Sequence, residues 1–308
     1  MLTVHDTSFT RSPLFYVGDK YKLLPQIIPL FPKEFRRLIE PFVGGGSVFL
    51  NTDVKDVLVN DIDSNVVGIH ELLLSQGEKM DQFILKILNL ARSYGLTCSC
   101  GGDLVPVDVR TKFPKTYFAH LNRPGFTKLK EKYNRSKKRN VLELYALVIY
   151  GFNRMLRFNR HGNFNIPVGN VDFNPNVVRA LQGYSARTVG RKITFSNLEF
   201  ETFLASINFE ESDFLYVDPP YLITASEYNK GWDETCEVRL YAMLDRLNAK
   251  GVRFALSNVE IYGDRANTLL VNWKQKYQEH VVTSNYINYF DNGKKTLKEV
   301  LVCNYEQA

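Results

Sequence analysis

Short apolar runs alternate along this chain with stretches in which apolar residues recur at helical spacing. Residues 37–43 (RLIEPFV) read as a buried strand that stops at Gly44-Gly45-Gly46, and residues 47–50 begin a helical turn. Residues 57–60 (VLVN) form a second short strand ending at Asp61, and residues 65–74 have helical periodicity. The alternation resumes late in the chain. Residues 193–196 read as a strand, and residues 214–217 (FLYV) as another that runs into Asp218-Pro219-Pro220-Tyr221. Residues 234–248 predict a helix, with Asp233 as its N-cap and Gly251 just past its end. Residues 253–257 and 299–303 complete the strands. Strands alternating with helices predict the α/β class, with a doubly wound, mostly parallel sheet.

The middle of the chain breaks this rhythm. Between residues 73 and 190 lie helical stretches, such as 141–150, and a segment at 152–175 punctuated by Gly, Asn and Pro. This part is rich in Lys, Arg, Asn and aromatic residues. It reads as an insertion between two halves of one sheet. The expected division is therefore one domain of residues 1–72 and 191–308, and an inserted domain of residues 73–190.

Composition narrows the classes. A chain of 308 residues, 44% hydrophobic, can bury a core and carry an inserted domain. No 18-residue apolar run is present, so no membrane partner is expected. Residues 1–11 are polar and lack the apolar stretch of a signal peptide. Four cysteines do not make a disulfide framework, which fits a reducing cytoplasm. Cys98-Ser99-Cys100 is too closely spaced for a zinc site and has no histidine cluster nearby, so no metal is expected. The net charge of +6 suits either an ordinary basic enzyme or attraction to a polyanion. Residues 128–139 (KLKEKYNRSKKR) hold seven basic residues against Glu131 alone, and read either as a solvated helix face or as a phosphate-contacting surface.

Two motifs carry chemistry. In the first, Gly44-Gly45-Gly46-Ser47 follows a strand, where glycines permit a sharp turn and let a ligand lie against bare main chain. Asp61 ends the next strand, where a carboxylate can accept both hydrogen bonds of a ribose diol. No Gly-Lys-Ser/Thr follows the glycines, and the G-x-G-x-x-G spacing is absent. Adenosine joined to an amino acid, without a pyrophosphate, remains as a ligand; a structural turn followed by a capping aspartate is the plain alternative.

The second motif is Asp218-Pro219-Pro220-Tyr221, at the carboxyl end of a strand, where ligands gather in open α/β sheets. By composition it arises on the order of once in a thousand chains of this length. Consecutive prolines fix an extended backbone. The N6 amine of adenine is a poor nucleophile, because its lone pair is delocalised into the ring. Accepting both of its N–H groups, one by the Asp218 carboxylate and one by the Pro219 carbonyl, favours a localised lone pair. Tyr221 offers a face for a purine to stack on. Catalysis then rests on orientation and preorganised electrostatics. The plain alternative is a rigid turn with a surface tyrosine.

These residues resemble the Dam-type family of DNA adenine methyltransferases, close to the T-even phage members, over most of the chain. The matching blocks are Tyr16-Val-Gly-Asp-Lys20, then PFVGGGSVFLN with Asn60-Asp61, then LYVDPPYLIT followed by Glu227-Tyr228-Asn229-Lys230, and finally Ala255-Leu-Ser-Asn-Val259. The order of glycine turn, recognition region and DPPY is that of the alpha class. The resemblance implies a Rossmann-like methyltransferase fold with S-adenosylmethionine as cofactor. It places the cofactor against Tyr16, Lys20, Phe42, Gly44, Gly46, Ser47, Asp61, Phe200 and Asp218, with Glu199-Phe200 matching the family's acidic-aromatic pair loosely. Residues 151–169 resemble the hairpin with which Dam-type enzymes read GATC, inside a mainly helical recognition domain. Met155, Arg157, Asn165 and Pro167 become the DNA-reading candidates. Arg157 can give bidentate bonds to guanine O6 and N7, or clamp a phosphate instead. Asn170 stands where related enzymes carry a basic residue, and the stretch 97–115 is longer than in the phage enzymes.

The resemblance thus implies a monomeric or weakly dimeric enzyme acting on double-stranded DNA, in the cytoplasm or on the nucleoid of a bacterial cell or phage-infected host. The target adenine would be flipped out of the duplex. Two rivals stay open: a methyltransferase acting on RNA or on protein glutamine, which often has Asn in place of Asp218, and a sequence-specific DNA-binding protein without catalysis.

Overall fold

The computed structural model describes residues 9–224, 231–283 and 296–306. In chain order the strands are β1 Arg37–Glu40, β2 Asp56–Asn60, β3 Lys192–Ser196, β4 Asp213–Val217, β5 Arg253–Tyr262, β6 Arg265–Ala266, β7 Gln278–Val282 and β8 Leu297–Cys303. The α-helices are α1 Leu24–Ile27, α2 Ser64–Leu74, α3 Met80–Ser93, α4 Val107–Lys112, α5 Tyr117–Arg135, α6 Val141–Tyr150, α7 Pro175–Thr188, α8 Phe200–Ala205, α9 Glu234–Ala249 and α10 Thr268–Trp273.

The chain divides into two compact units. One holds the described residues of Met1–Asp19, Gly44–Leu50 and Asn65–Val189; the other holds those of Lys20–Val43, Asn51–Ser64 and Gly190–Ala308. Compactness therefore groups residues 9–19, 44–50 and 65–72 with the middle of the chain, although the sequence assigns them to the sheet domain. The contacts show why. Tyr145 on α6 donates its hydroxyl to the Pro13 carbonyl at 3.1 Å, and Tyr184 on α7 lies 3.3 Å from His70 Nδ1 on α2.

The second unit is the sheet, in the order β3-β2-β1-β4-β5-β8-β7, with β6 on β5. β1 to β5 pair in parallel, while β8 runs antiparallel to both β5 and β7. This is the mostly parallel α/β sheet the alternation predicts. Every residue of β4 is buried, as a strand covered on both faces requires. Leu215, Val217, Phe254, Leu256, Val300 and Val302 form one sheet face and pack under Leu240 and Leu244 of α9, Phe203 of α8 and Leu270 of α10. On the other face Phe31 stacks edge-on against Phe214 at 4.7 Å. α9 starts as its sequence dictates, with the Asp233 carboxylate accepting from Cys236 N at 2.9 Å. Gly251, after its end, takes φ +78°. β7 is not legible in the sequence, because QEHVV is an edge strand exposed along most of its length.

The first unit is mainly helical, built from α3, α5, α6 and α7 packed around one another. α6 is buried from Glu143 to Tyr150 and forms its centre. Asn140 caps it by accepting from Leu142 N at 2.8 Å.

Candidate active site

The strand order reverses between β1 and β4. The chain steps from β1 to β2 and β3 on one side, and from β4 to β5 on the other. The carboxyl ends of adjacent strands at such a reversal leave a crevice open to ligands. Asp218-Pro219-Pro220-Tyr221 follows β4 at that point, and Pro41-Phe42 follows β1.

The Asp218 carboxylate is held from one side. Its Oδ1 lies 2.8 Å from Lys20 Nζ and accepts from the Tyr221 hydroxyl at 3.1 Å. The same hydroxyl lies 2.9 Å from Glu299 Oε1, and Lys20 Nζ is 3.7 Å from that oxygen. The Lys20 ammonium also stands 4.9 Å from the centre of the Tyr221 ring. Lys20 is 5% exposed and Glu299 2%, whereas Asp218 is 19% exposed. Among the described residues nothing bonds Asp218 Oδ2. Burial, reinforced by the neighbouring Asp218, holds the Tyr221 phenol well above its ordinary pKa, so it stays a hydrogen-bond donor. Beneath it the Tyr216 and Ser257 hydroxyls lie 2.8 Å apart.

Lys20, expected at the cofactor, is thus brought to Asp218. Tyr221, expected as a stacking face, has its hydroxyl fixed by two carboxylates. The sequence reading missed Glu299 in this role. Its signal was a carboxylate at the head of an apolar run, Val300–Cys303, in β8, which has neighbours on both sides. A charge there requires a partner.

A second group forms beside the carboxyl ends of β1 and β2. Phe42, Phe200 and Trp232 make an aromatic cluster, with ring centres 5.5–5.7 Å apart. Trp232, also missed, precedes the α9 N-cap and approaches Glu237 Oε1 with its Nε1 at 3.5 Å. Glu199 caps α8 by accepting from Glu201 N at 2.8 Å and pairs with Arg239 at 2.8 Å. Asn60 ties these parts together: its amide donates to Pro41 O at 3.0 Å and to Leu198 O at 2.9 Å. Asp61 is half-buried at the end of β2, with Oδ1 accepting from Asp63 N at 2.9 Å. A partly exposed carboxylate and an aromatic cluster at neighbouring strand ends suit a nucleoside, whose ribose bonds and whose base stacks.

The glycine turn belongs to the helical unit and differs from expectation. Gly44 and Gly46 take φ +46° and +74°, which explains glycine there. The bare main chain at Gly45 is not open, because a Cβ would meet Tyr16 Cβ at 2.8 Å. Tyr16 therefore lies along the turn, and Phe49 and His70 crowd Gly46. Ser47 is buried. No α-helix follows. The turn leads only into a short 3-10 turn, Phe49–Asn51, because Val48, Phe49 and Leu50 are all buried and a single turn inters them. His70 Nε2 donates to Gly44 O at 2.9 Å, and burial pushes its pKa down to about 4.

In the same unit residues 151–169 double back. Two antiparallel bridges, Gly151 with Val168 and Phe158 with Phe164, mark the path, and Asn165 N donates to Arg157 O at 3.2 Å. The expected β-hairpin is a bonded turn without continuous strands, since Asn, Gly and Pro interrupt it. Arg157 Nε donates to Asn165 Oδ1 at 3.0 Å, which leaves its two terminal nitrogens without a bond among the described residues. Met155 is half-buried, and Asn165 and Pro167 are exposed.

The basic run 128–139 presents a largely solvated face, as one of its two expected readings has it, and part of it also braces this hairpin. Arg139 donates to Gly162 O and Asn163 Oδ1, and Lys130 to Ile166 O at 3.5 Å. Within the same run, Asn134 brackets Phe164 with bonds of 3.0 and 2.9 Å. Lys132 pairs with Glu143. Lys128, Lys132, Arg135, Lys137, Lys138 and Arg139 are exposed. Glu227, Tyr228, Asn229 and Lys230 lie outside the described residues.

Residues 16–287 match the D12 class N6 adenine-specific DNA methyltransferases. The chain belongs to this family. It is 34% identical over 307 residues to the type II methyltransferase M.FokI of Planomicrobium okeanokoites, which covers 97% of this chain and 43% of that protein. It is 32% identical to the modification methylase StsI of Streptococcus sanguinis, again over 97% of this chain and 43% of the relative. The chain thus spans less than half the length of these two relatives. A DNA adenine methylase of Salmonella typhi is 25% identical, covering 88% of this chain and 87% of its own length. No described helix is long and apolar enough to cross a membrane.

Proposed function

We propose that this chain transfers a methyl group from S-adenosylmethionine to N6 of an adenine in double-stranded DNA. The observation that carries the reading is the asymmetry of Asp218: Lys20 and Tyr221 hold Oδ1, and among the described residues Oδ2 makes no bond. Oδ2 accepts one N6–H, and the Pro219 carbonyl, directed by two prolines, accepts the other. Both bonds favour a nitrogen whose lone pair points at an electrophile. S-adenosylmethionine supplies that electrophile, a methyl on a sulfonium sulfur. Asp61 and the cluster of Phe42, Phe200 and Trp232 are the residues of the sheet unit that suit its nucleoside. Tyr16 is assigned to the cofactor by resemblance, and Gly44, Gly46 and Ser47 by resemblance and by the glycine turn of which they are part.

The amine of a paired, stacked adenine cannot reach Asp218, so the base leaves the helix. The Dam-type likeness points to GATC as the site, with Arg157 on a guanine and Met155 and Pro167 against a thymine methyl; Asn165, which accepts from Arg157 Nε at 3.0 Å, orients it. The modification methylases among the relatives support a role in restriction-modification. Incubating the protein with methyl-labelled S-adenosylmethionine and, separately, unmethylated duplex DNA, RNA and a protein extract tests the reading. Label is expected in DNA alone, at adenines within GATC. Label in RNA or protein only would contradict the substrate; label at adenines in another sequence would contradict GATC alone.

A further inference from the structure

The stretch that the catalytic reading leaves without a role is 97–115. Its first part is built into the helical unit, and several of its bonds run to the chain just after the recognition hairpin. Ser99 N donates to Asp172 Oδ2 at 2.7 Å and Cys100 N to Phe173 O at 3.3 Å. Asn122 accepts from Thr97 N at 2.7 Å and donates to Val171 O at 3.2 Å. Asn170 Oδ1 accepts from Phe118 N at 2.9 Å and Ala119 N at 3.3 Å, capping the start of α5. Residues 170–173 follow Gly169 directly, so the insertion and the hairpin share one anchored segment.

The outer part has no fold-level explanation. α4 contains no buried residue. Leu104 is 90% exposed and Val107 81%. A helix that buries nothing gains little from forming, since packing supplies most helical stability. Charge says what it faces. Arg110, Lys112 and Lys115 are all exposed. Arg110 sits 5.4 Å from the Tyr117 ring centre and Lys112 5.6 Å from that of Phe113, and Phe113 stacks on His120 at 3.9 Å. The charged heads of Arg110 and Lys112 thus lie over ring faces at an exposed surface, which holds them in place without neutralising them. Of the acids in this stretch, Asp103 accepts from Cys98 N at 2.8 Å, and Asp108 lies in the first turn of α4.

We infer that residues 102–117 form a phosphate-binding arm that grips the DNA backbone beside the hairpin, with Arg110, Lys112 and Lys115 as its contacts. The inference rests on DNA being the substrate. It assigns this arm affinity and footprint but no base reading, because phosphate contacts position without specifying.

The test is a salt titration of DNA binding by the full chain, comparing wild type with the triple variant R110Q/K112Q/K115Q on duplexes with and without GATC. Each lost phosphate contact lowers the slope of log affinity against log salt by about 0.9. The variant is expected to lose about 2–3 from that slope, equally on both duplexes, with turnover at saturating DNA unchanged. The charge-preserving variant R110K/K112R/K115R is expected to keep the wild-type slope, which separates lost charge from a disturbed helix. An unchanged slope in the glutamine variant would overturn the arm and leave Leu104 and Val107 as a face for a protein partner. If the wild type itself shows no salt-dependent DNA binding, the DNA reading fails instead.

Discussion

Asp218 and Arg157 are the two polar side chains on which the proposed reaction turns, and their surroundings differ in kind. Asp218 sits in a buried cluster of charges: one oxygen is fixed by a 5%-exposed lysine and by a tyrosine that a 2%-exposed glutamate also holds. Arg157 stands on a turn with no continuous strand, oriented by one neutral bond to Asn165 and braced from behind by the basic run. A reacting group needs a fixed geometry in a region of low dielectric, which only burial and multiple partners supply. A reading group must meet a base edge and therefore stays partly open to solvent, as half-buried Arg157 does, with only part of its fork committed.

The contrast makes graded predictions. Asp218→Ala removes the amine acceptor at the rigid centre. Turnover is expected to fall about a thousandfold, about 4 kcal/mol, with DNA affinity retained. Lost binding with undiminished turnover of the bound fraction would reverse the roles of the two regions. Glu299→Gln keeps the shape but removes the charge that orients Tyr221 and Lys20. It is expected to lower kcat by about 2–3 kcal/mol with DNA KM unchanged. If Glu299 acts through the Tyr221 hydroxyl, the loss in E299Q/Y221F will be smaller than the sum of the single losses.

Arg157→Ala is expected to cost about 2 kcal/mol of discrimination at one guanine, read by competing duplexes that differ at that base. An equal loss on every sequence would make it a phosphate clamp. The glycine turn gives a pH test. His70 is neutral in the fold, with a pKa pushed down to about 4 by burial from an ordinary 6.5. The unfolded chain therefore takes up the proton first as pH falls. Stability is full above 6.5 and is lost progressively down to about 4, by about 2 kcal/mol between pH 7 and pH 5. Urea midpoints at those two pH values measure it, and His70→Asn should flatten the dependence. Smallest is Asn165→Ala, which frees Arg157 to turn and should cost about 1 kcal/mol in the same duplex competition.

What was legible in the sequence follows the range of the forces. β1, β2, β4 and β5 each declare themselves by a local apolar run, and the Asp233 cap and Gly251 by local backbone demands. The DPPY loop was readable because its stiffness and its carboxylate lie within four residues. Glu299 is 78 residues beyond Tyr221, so its part in the cluster exists only once the sheet is assembled. The filling of the Gly45 main chain by Tyr16 is likewise a tertiary fact that glycine spacing cannot convey. The helical turn expected after the glycines is a short 3-10 turn, Phe49–Asn51, that does not extend into an α-helix, and its burial is a tertiary fact that a periodic pattern does not convey. The bonds of Lys130 and Arg139 to the hairpin were not legible in the basic run, because they join residues more than twenty positions apart.

The most direct test of the central claim is nucleoside analysis of DNA treated with the pure protein and S-adenosylmethionine, with the Asp218→Ala protein in parallel. The account predicts N6-methyl-2′-deoxyadenosine from the wild-type reaction, about a thousandfold slower appearance with the variant, and no methylated cytosine. Methyl groups on another base, or equal yields from both proteins, would contradict the assignment of Asp218 as the residue that holds the adenine amine.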